Sequence, residues 1–358
     1  MSGSNSSINI YLNNTTDQKI ESNVIFQILS YIPILIILIG VTGNLGSFYI
    51  FRFEKELNTM SNLVYLSYCC ITDTLSLFTW NLNHFLGPNF NLSMETFNIH
   101  TCRLFEFLQY FSLQASAILL AGACIDSYFS VISIPGSFIS RLPFGTAKSG
   151  FVVSSIIIMI IFLLNSFMLF TDRLVTYKNE TISYNNSINY VLVPDKYDCY
   201  VLPNGYNIYP DYETIHIFIY PTFAVIIMFI FNSLLVAKVY SIKKNKLKNQ
   251  SKKAQQAFNK TINLTISTLF ITLVFICMCL PGTLAYKYFG DFFFSSSELK
   301  EIIYLIDSLS FLNRSSIFIN CMISNIKFRR IVLKKLNKII HFRKETIDNE
   351  RSLVTSIQ

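Results

Sequence analysis

Two charged side chains of opposite sign fall within apolar stretches of the sequence. Asp73 lies in the stretch 61–85, and Arg314 lies at the middle of the stretch 302–326. An isolated charge at the centre of a bilayer costs roughly 2.5 to 3.5 kcal/mol even on insertion scales, so each of these side chains needs a partner. We expect Arg314 to be the counterion of Asp73. The alternative is that Arg314 faces a separate cavity.

A third carboxylate, Asp126, stands at the end of a long uncharged run, in the segment CIDSYFS. It is either one half of a switch that has lost its partner charge, or a polar stop where a helix leaves the membrane.

Catalytic chemistry finds no support in the sequence. No His, Cys and Glu residues have metal-ligand spacing, and no Gly-rich nucleotide-binding loop occurs. The four histidines are scattered: His84, His100, His216 and His341. We therefore expect neither an enzyme nor a protein with a cofactor or bound metal.

The composition indicates that lipid surrounds most of the chain. Of 358 residues, 52% are hydrophobic and 14% are charged, and the mean hydropathy is +0.43. A membrane-spanning helix needs about 20 apolar residues. Runs without Asp, Glu, Lys or Arg cover 22–51, 107–125, 149–171, 214–237 and 261–286. With the stretches around Asp73 and Arg314 they make seven spans, and backbone groups in lipid must bond within their own helix. The sequence predicts an all-α membrane protein, a seven-transmembrane helix bundle.

The positions of the lysines and arginines predict the orientation. Of the 29 such residues, most flank the spans on the face that holds the C-terminus. Cytoplasmic loops carry this excess, so we expect an extracellular N-terminus in the plasma membrane. The expected divisions are an extracellular tail over 1–23 with glycosylation sequons, a helical domain over 24–326, and an amphipathic helix with a cytoplasmic tail over 327–358.

The net charge of +8 has an alternative interpretation as a nucleic-acid-binding surface. That function needs a basic face on a soluble domain, whereas these lysines flank apolar spans. We expect no nucleic acid, and anionic membrane lipids as partners of the basic inner face.

Two of the eight cysteines fall at the predicted outer face. These are Cys102, at the start of the third span, and Cys199, in the long loop 172–211. In an oxidising exterior two such thiols are expected to form a disulfide, which would tie the loop over the bundle.

The order of several motifs resembles the rhodopsin-like G-protein-coupled receptors, and in particular a divergent receptor of the invertebrate neuropeptide type. The resemblance covers nearly the whole chain. The matching landmarks are GVTGNLGS with Asn44, NLVYLSYCCITD ending at Asp73, the Cys102 and Cys199 pair, CIDSYFS at the Asp-Arg-Tyr position, Pro221, Pro281, and SNIKFRR at the start of a short eighth helix.

The resemblance implies two internal sites. The first is a buried polar site around a sodium ion, with Asn44, Ser116 and Asn313 around Asp73. Ile317 stands where the family has a further Asn ligand, and we expect Arg314 to replace the sodium ion. The second is the activation motif, which comprises Asp126, Ser127, Tyr128 and Pro281. Ser127 stands where the family has Arg, and Cys279 stands where it has a Trp that acts as a toggle.

The same resemblance implies an extracellular ligand and a heterotrimeric G protein as partners. The third-helix carboxylate of amine receptors is replaced by Gln109, and the lysine of opsins is replaced by Phe311. We therefore expect a peptide ligand. The candidate ligand-binding residues are Gln109, Tyr110, Tyr286 and Asp307, with Asp307 facing a basic ligand group. The alternatives are a decoy receptor that does not couple and a small-solute transporter.

Overall fold

A computed structural model describes residues 27–133, 144–170, 172–184, 187–201, 212–246, 252–294 and 297–357. The predicted tail over 1–23 lies outside these residues. So do the side chains of Cys199 and Tyr286.

The described chain is mainly helical. In chain order, the helices are α1 (Ile32–Phe53), α2 (Ser61–Leu77), α3 (Trp80–Phe90), α4 (Met94–Phe97), α5 (Ile99–Ile132), α6 (Ala147–Asn165), α7 (Tyr212–Ile217), α8 (Ala224–Lys246), α9 (Lys252–Phe294), α10 (Ser297–Ser315), α11 (Ile317–Ser324) and α12 (Ile326–Ile357). A 3₁₀ turn covers Ser166–Phe170, and a π-helical turn, Phe218–Phe223, joins α7 to α8.

Five helical segments are long and apolar enough to cross a membrane. They are Gln27–Phe53, Ile99–Ile132, Ala147–Phe170, Thr214–Ser241 and Ile266–Ala285. Each coincides with one of the uncharged runs in the sequence. These segments establish a helical, membrane-embedded architecture.

The stretches around Asp73 and Arg314 are each divided into two helices. The first breaks between α2 and α3, where the Thr79 hydroxyl donates to the Ser76 carbonyl at 2.7 Å. The second breaks between α10 and α11, where the Ser316 hydroxyl donates to the Asn313 carbonyl, also at 2.7 Å. Ser and Thr side chains that bond to the backbone compete with regular helix geometry.

Helix α2 lies at the centre of the bundle, in contact with α1, α5, α6 and α10. Small residues allow the close approaches. A Cβ atom on Gly40 would lie 2.7 Å from Ser315 Cβ, and one on Gly150 would lie 2.7 Å from the Ser61 hydroxyl. The outward faces of α6 and α8 carry exposed apolar side chains such as Met159 and Phe229. This distribution places polar and small residues inside and apolar residues where a membrane would lie.

Two features are not anticipated by the sequence pattern. An antiparallel hairpin of β1 (Asp172–Tyr184) and β2 (Ser187–Val201) follows α6, with Tyr184 paired to Ser187 at its tip. Helix α12 has 32 residues rather than being short, and it begins at Ile326.

The start of α12 is capped and anchored. The Asn325 side-chain oxygen accepts bonds from the amides of Lys327 and Phe328, both at 3.1 Å. Farther along, Lys335 pairs with Glu54 at the end of α1, at 2.5 Å. The hydrogen bond to Glu54 raises the pKa of Lys335.

Candidate functional site

Asp73 and Arg314 form the buried ion pair that their positions in the sequence predict. Arg314 Nη1 lies 3.1 Å from Asp73 Oδ1, and the two side chains are 1% and 6% exposed. The pair joins α2 to the end of α10. The alternative of a separate cavity for Arg314 is excluded by this contact.

Arg314 has further partners on three other helical segments. Its Nη2 donates to the Tyr220 hydroxyl at 2.5 Å, and its guanidinium carbon lies 5.2 Å from the Tyr220 ring centre and 5.4 Å from that of Phe275. Its backbone carbonyl accepts a bond from Asn44 Nδ2 at 3.0 Å. Aromatic faces attract cations by their quadrupoles, so the π turn and α9 help to hold this charge. Helix α1 holds the backbone of α10 at the same residue.

The other residues of the predicted polar site surround the pair without all touching Asp73. Ser116 and Asn313 line a small cavity beside Asp73, with a volume of about 10 Å³. Asn313 Nδ2 donates to the sulfur of Cys279 at 3.3 Å. Such a cavity is at the lower limit for a single water molecule. Arg314 therefore provides the positive charge that balances Asp73.

A second, larger cavity of about 400 Å³ contains three of the four predicted ligand-binding residues, Gln109, Tyr110 and Asp307. Aromatic rings and a few polar groups form the wall, as is typical of small-molecule and peptide sites. The remaining lining residues are Trp80, Leu113, His216, Ile217, Tyr220, Gly282, Thr283, Ser310 and Phe311.

Asp307 already has a partner, which the sequence does not predict. Its Oδ2 lies 3.0 Å from His84 Nε2, and His84 Nδ1 lies 2.9 Å from the Trp80 carbonyl oxygen. His84 is on α3, one helical turn after Trp80. Nothing in the sequence relates His84 to a residue on α10. Asp307 therefore lines the cavity with its carboxylate bonded to His84, and its contact with a basic ligand group stays a prediction.

A buried hydrogen-bond network lies behind the opposite wall of the large cavity. Tyr212 donates to Asn165 Oδ1 at 2.5 Å, and Asn165 Nδ2 donates to Gln114 Oε1 at 2.9 Å. The Gln114 amide then faces His216 Nδ1 at 3.2 Å. Because the Gln114 oxygen already accepts a bond, its nitrogen is the donor, and the ring proton of His216 is on Nε2. Only the polar residues within apolar runs, Gln114 and Asn165, signal this network in the sequence.

Tyr220 connects the large cavity to the ion pair. Its ring lines the cavity and stacks on His216 with ring centres 5.2 Å apart, while its hydroxyl accepts the bond from Arg314. Tyr220 lies in the π turn beside Pro221. A π turn adds one residue to a helical turn and is frequent at functional sites. A shift of Tyr220 at the cavity wall would therefore alter its hydrogen bond to Arg314 directly.

At the far end of α5, Asp126 accepts two hydrogen bonds. The Ser61 hydroxyl donates to its Oδ1 at 3.0 Å, and the Gly145 amide donates to the same oxygen at 2.8 Å. Gly145 has a φ of 81°, in the left-handed region that favours glycine. Asp126 thus joins α5 to the start of α2 and to the residue before the cap of α6.

The other predicted activation residues are not part of this contact. Ser127 is buried, and its hydroxyl has no hydrogen-bond partner among the described residues. The Tyr128 ring lies 5.7 Å from that of Phe231 on α8. Pro281 lies within α9 and is exposed.

The predicted disulfide is described on one side only. Cys102 is buried near the start of α5 and is not among the free cysteines. Cys199 lies on β2, but its side chain is outside the described residues, so its pairing with Cys102 stays a prediction.

No family model matches this sequence, and no curated protein matches it significantly. Among the described residues, no group of three or more His, Cys, Asp or Glu side chains could hold a metal ion. We therefore infer the function from the cavity and the ion pair.

Proposed function

We propose that this protein is a cell-surface receptor of the rhodopsin-like, G-protein-coupled kind. It would bind an extracellular ligand, a peptide in our proposal, and signal through a heterotrimeric G protein. The observation that carries the proposal is Tyr220, whose ring lines the large cavity and whose hydroxyl bonds to Arg314 of the buried ion pair.

Seven membrane spans are part of this proposal. The five apolar helices supply five of them. The divided segments α2–α3 and α10–α11 supply the other two, and their charges are paired inside the bundle by the contact of Asp73 with Arg314. The excess of Lys and Arg beyond the last span favours a cytoplasmic C-terminus. The large cavity, near the hairpin end of α5, would then face outward.

The ion pair gives the receptor a mechanism that does not need sodium. Arg314 holds α1, α2, the π turn and α9 together, so it stabilises one arrangement of the helices. A ligand that contacts Tyr220 and binds another arrangement more tightly would shift the population towards that arrangement. The missing toggle Trp and the missing seventh-helix Asn are consistent with transmission through Tyr220 and Arg314 instead.

A receptor that does not couple is the second candidate, and Asp126 favours it. In this chain Asp126 is used to join helix ends through Ser61 and Gly145. Ser127 supplies no positive charge for a G protein. The cationic α12 would still adhere to anionic lipid in either case.

The experiment is a peptide-library screen on cells that express the full chain, with reporters for several G-protein classes. The test variant is Asp307→Asn, which removes the carboxylate from the cavity wall without changing side-chain size, and untransfected cells are the control. A response that is absent from untransfected cells and weakened by Asp307→Asn would support the receptor. Specific peptide binding without any response would favour the non-coupling receptor. Solute flux in vesicles containing the pure protein, with no peptide binding, would favour a transporter and refute the proposal.

A further inference from the structure

His216 lines the large cavity, and three neighbours hold its ring in place. The Tyr220 ring stacks on it, with ring centres 5.2 Å apart and an angle of 24° between the planes. The Tyr110 ring meets it edge to face, with ring centres 4.7 Å apart and planes at 90°. His216 Nδ1 lies 3.2 Å from Gln114 Nε2. The other ring nitrogen, Nε2, has no hydrogen-bond partner among the described residues, so it is the polar atom that His216 can offer to a ligand.

One backbone carbonyl group sets the direction of the hydrogen bonds behind this wall. Asn165 Nδ2 lies 2.8 Å from the Ile161 carbonyl oxygen, which can only accept. The second hydrogen of the same nitrogen reaches Gln114 Oε1 at 2.9 Å. If the Asn165 amide were turned over, its oxygen would face the Ile161 oxygen and neither would have a donor. Buried polar groups are almost always hydrogen-bonded, so this orientation is excluded.

The constraint passes from Gln114 to His216. Because Gln114 Oε1 accepts from Asn165, the two hydrogens of Gln114 Nε2 go to the Tyr212 hydroxyl at 3.4 Å and to His216 Nδ1 at 3.2 Å. The Tyr212 hydroxyl can accept, since it donates its own hydrogen to Asn165 Oδ1. His216 Nδ1 is therefore an acceptor without a hydrogen. A ring with hydrogens on both nitrogens would set two donors against each other, so the ring is neutral and carries its hydrogen on Nε2.

This arrangement removes the freedom that a histidine ordinarily has at a binding site. A neutral imidazole can present either a donor or an acceptor, whereas His216 presents only a donor to the cavity. A ligand donor placed against it would leave two donors opposed, while a carbonyl oxygen would complete the hydrogen bond. A polar group left unpaired in a desolvated site lowers affinity by about 5- to 150-fold.

We propose that His216 Nε2 donates a hydrogen bond to a carbonyl oxygen of the ligand, and that this makes His216 a specificity-determining residue. Asn165 and Gln114 are positioning residues, because they fix the donor without lining the cavity themselves. The inference rests on the proposed ligand cavity and names the ligand chemistry of that site. In a peptide ligand the carbonyl group would belong to an amide.

The first measurement determines where the hydrogen of His216 lies. The full chain is labelled with nitrogen-15 histidine and studied by solid-state NMR in lipid bilayers, where ring nitrogens with and without a hydrogen resonate far apart. The chain has four histidines, and the signals of His216 are those that disappear in His216→Phe. We expect a hydrogen on Nε2 and none on Nδ1.

The second measurement compares two probes of the same shape. Diphenethyl ketone carries one carbonyl acceptor, and in its methylidene analogue a CH₂ group replaces the carbonyl oxygen. Binding to the full chain in lipid nanodiscs is measured by saturation-transfer NMR, with empty nanodiscs as the blank. We expect the wild type to bind the ketone about tenfold more tightly than the analogue. His216→Phe keeps a ring at this position and removes the N–H group, so it should lose this preference.

Two variants separate the fixed donor from general packing. Gln114→Met removes the amide that occupies His216 Nδ1, so the hydrogen is no longer confined to Nε2 and the preference for the ketone falls. Tyr212→Phe is the matched control. It removes a hydroxyl from the same network but leaves the bonds of Asn165 to Ile161 and Gln114, and Tyr212 does not line the cavity. This variant should keep the wild-type tautomer and the preference for the ketone.

The proposal is overturned if His216 carries a hydrogen on Nδ1, if the ketone binds no better than its analogue, or if His216→Phe keeps the preference. An unchanged tautomer in Gln114→Met would refute the positioning role. If His216→Phe does not fold, the His216 signals are assigned by substituting the other three histidines, and the wild-type tautomer and the two probes decide. A ketone preference in a protein that no peptide activates would retain this inference and count against the coupled receptor. A peptide response from a protein with the hydrogen on Nδ1 would do the reverse.

Discussion

Replacing Arg314 with alanine should destabilise the protein far more than replacing a cation on its surface. The change leaves Asp73, whose side chain is 6% exposed, as a buried carboxylate without its ion partner. Removal of one member of a buried pair costs about 3–5 kcal/mol, because the remaining charge stays desolvated. The matched control is Lys335→Ala, where the side chains of the pair with Glu54 are 39% and 27% exposed. An exposed pair contributes about 0–1 kcal/mol.

The assay is unfolding of the purified protein followed with a thiol-reactive dye, since buried free cysteines such as Cys69 and Cys321 become reactive when the bundle opens. The double variant Asp73→Asn with Arg314→Ala should recover much of the stability, because no uncompensated charge remains. Sodium chloride should stabilise Arg314→Ala more than choline chloride does, because sodium can then occupy the place of the guanidinium. A loss no larger than that of Lys335→Ala, or no recovery in the double variant, would refute the reasoning.

Three further predictions concern helix packing and the far end of α5. Gly40→Val should lower stability by about 1–3 kcal/mol in the same unfolding assay, because its side chain would overlap Ser315; an unchanged midpoint would contradict the packing of α1 on α10. Asp126→Ala should cost about 1–3 kcal/mol by leaving the Gly145 amide without its acceptor, whereas Asp126→Asn, which keeps an acceptor oxygen, should cost less. Ser127→Arg should raise the ligand-stimulated G-protein response at equal surface expression, and no gain would indicate a rewired or non-coupling inner face.

The physics of the bilayer makes some of this structure predictable from the sequence. Long uncharged runs identify five apolar helices, because a span needs length and the absence of charge. The partner of Asp73 is predictable for the same reason. A buried charge must be compensated, and Arg314 is the cation within the other charged stretch.

The contacts around the large cavity are less predictable because they depend on the rotation of each helix about its own axis. His84 and Asp307 are 223 positions apart, and neither residue type specifies the other. The inward position of Tyr220 depends on the π turn, which changes the rotation of the residues around Pro221. The hairpin after α6 is similarly unpredicted, since its strands carry many polar residues and no sharp alternation.

Asp126 has contacts in the structure that the sequence does not predict. The sequence suggests either half of a switch or a polar stop. In the structure the carboxylate is a hydrogen-bond acceptor that holds the end of α5 against Ser61 and Gly145. This role needs no arginine at position 127. Asp126 therefore has a structural role even though Ser127 carries no charge.

The central claim is that Tyr220 transmits the state of the large cavity to the ion pair. Tyr220→Phe tests it most directly, since the variant keeps the ring that lines the cavity and removes the hydroxyl that bonds to Arg314. A hydrogen bond to a charged group contributes about 1.5–3 kcal/mol, enough for a roughly tenfold change in a two-state population. The assay uses the first peptide that activates the protein. Binding of this peptide should stay close to wild type. G-protein activity without the peptide should rise, and the additional activity that the peptide causes should fall. Basal activity and increment both equal to wild type, at equal surface expression, would contradict the account.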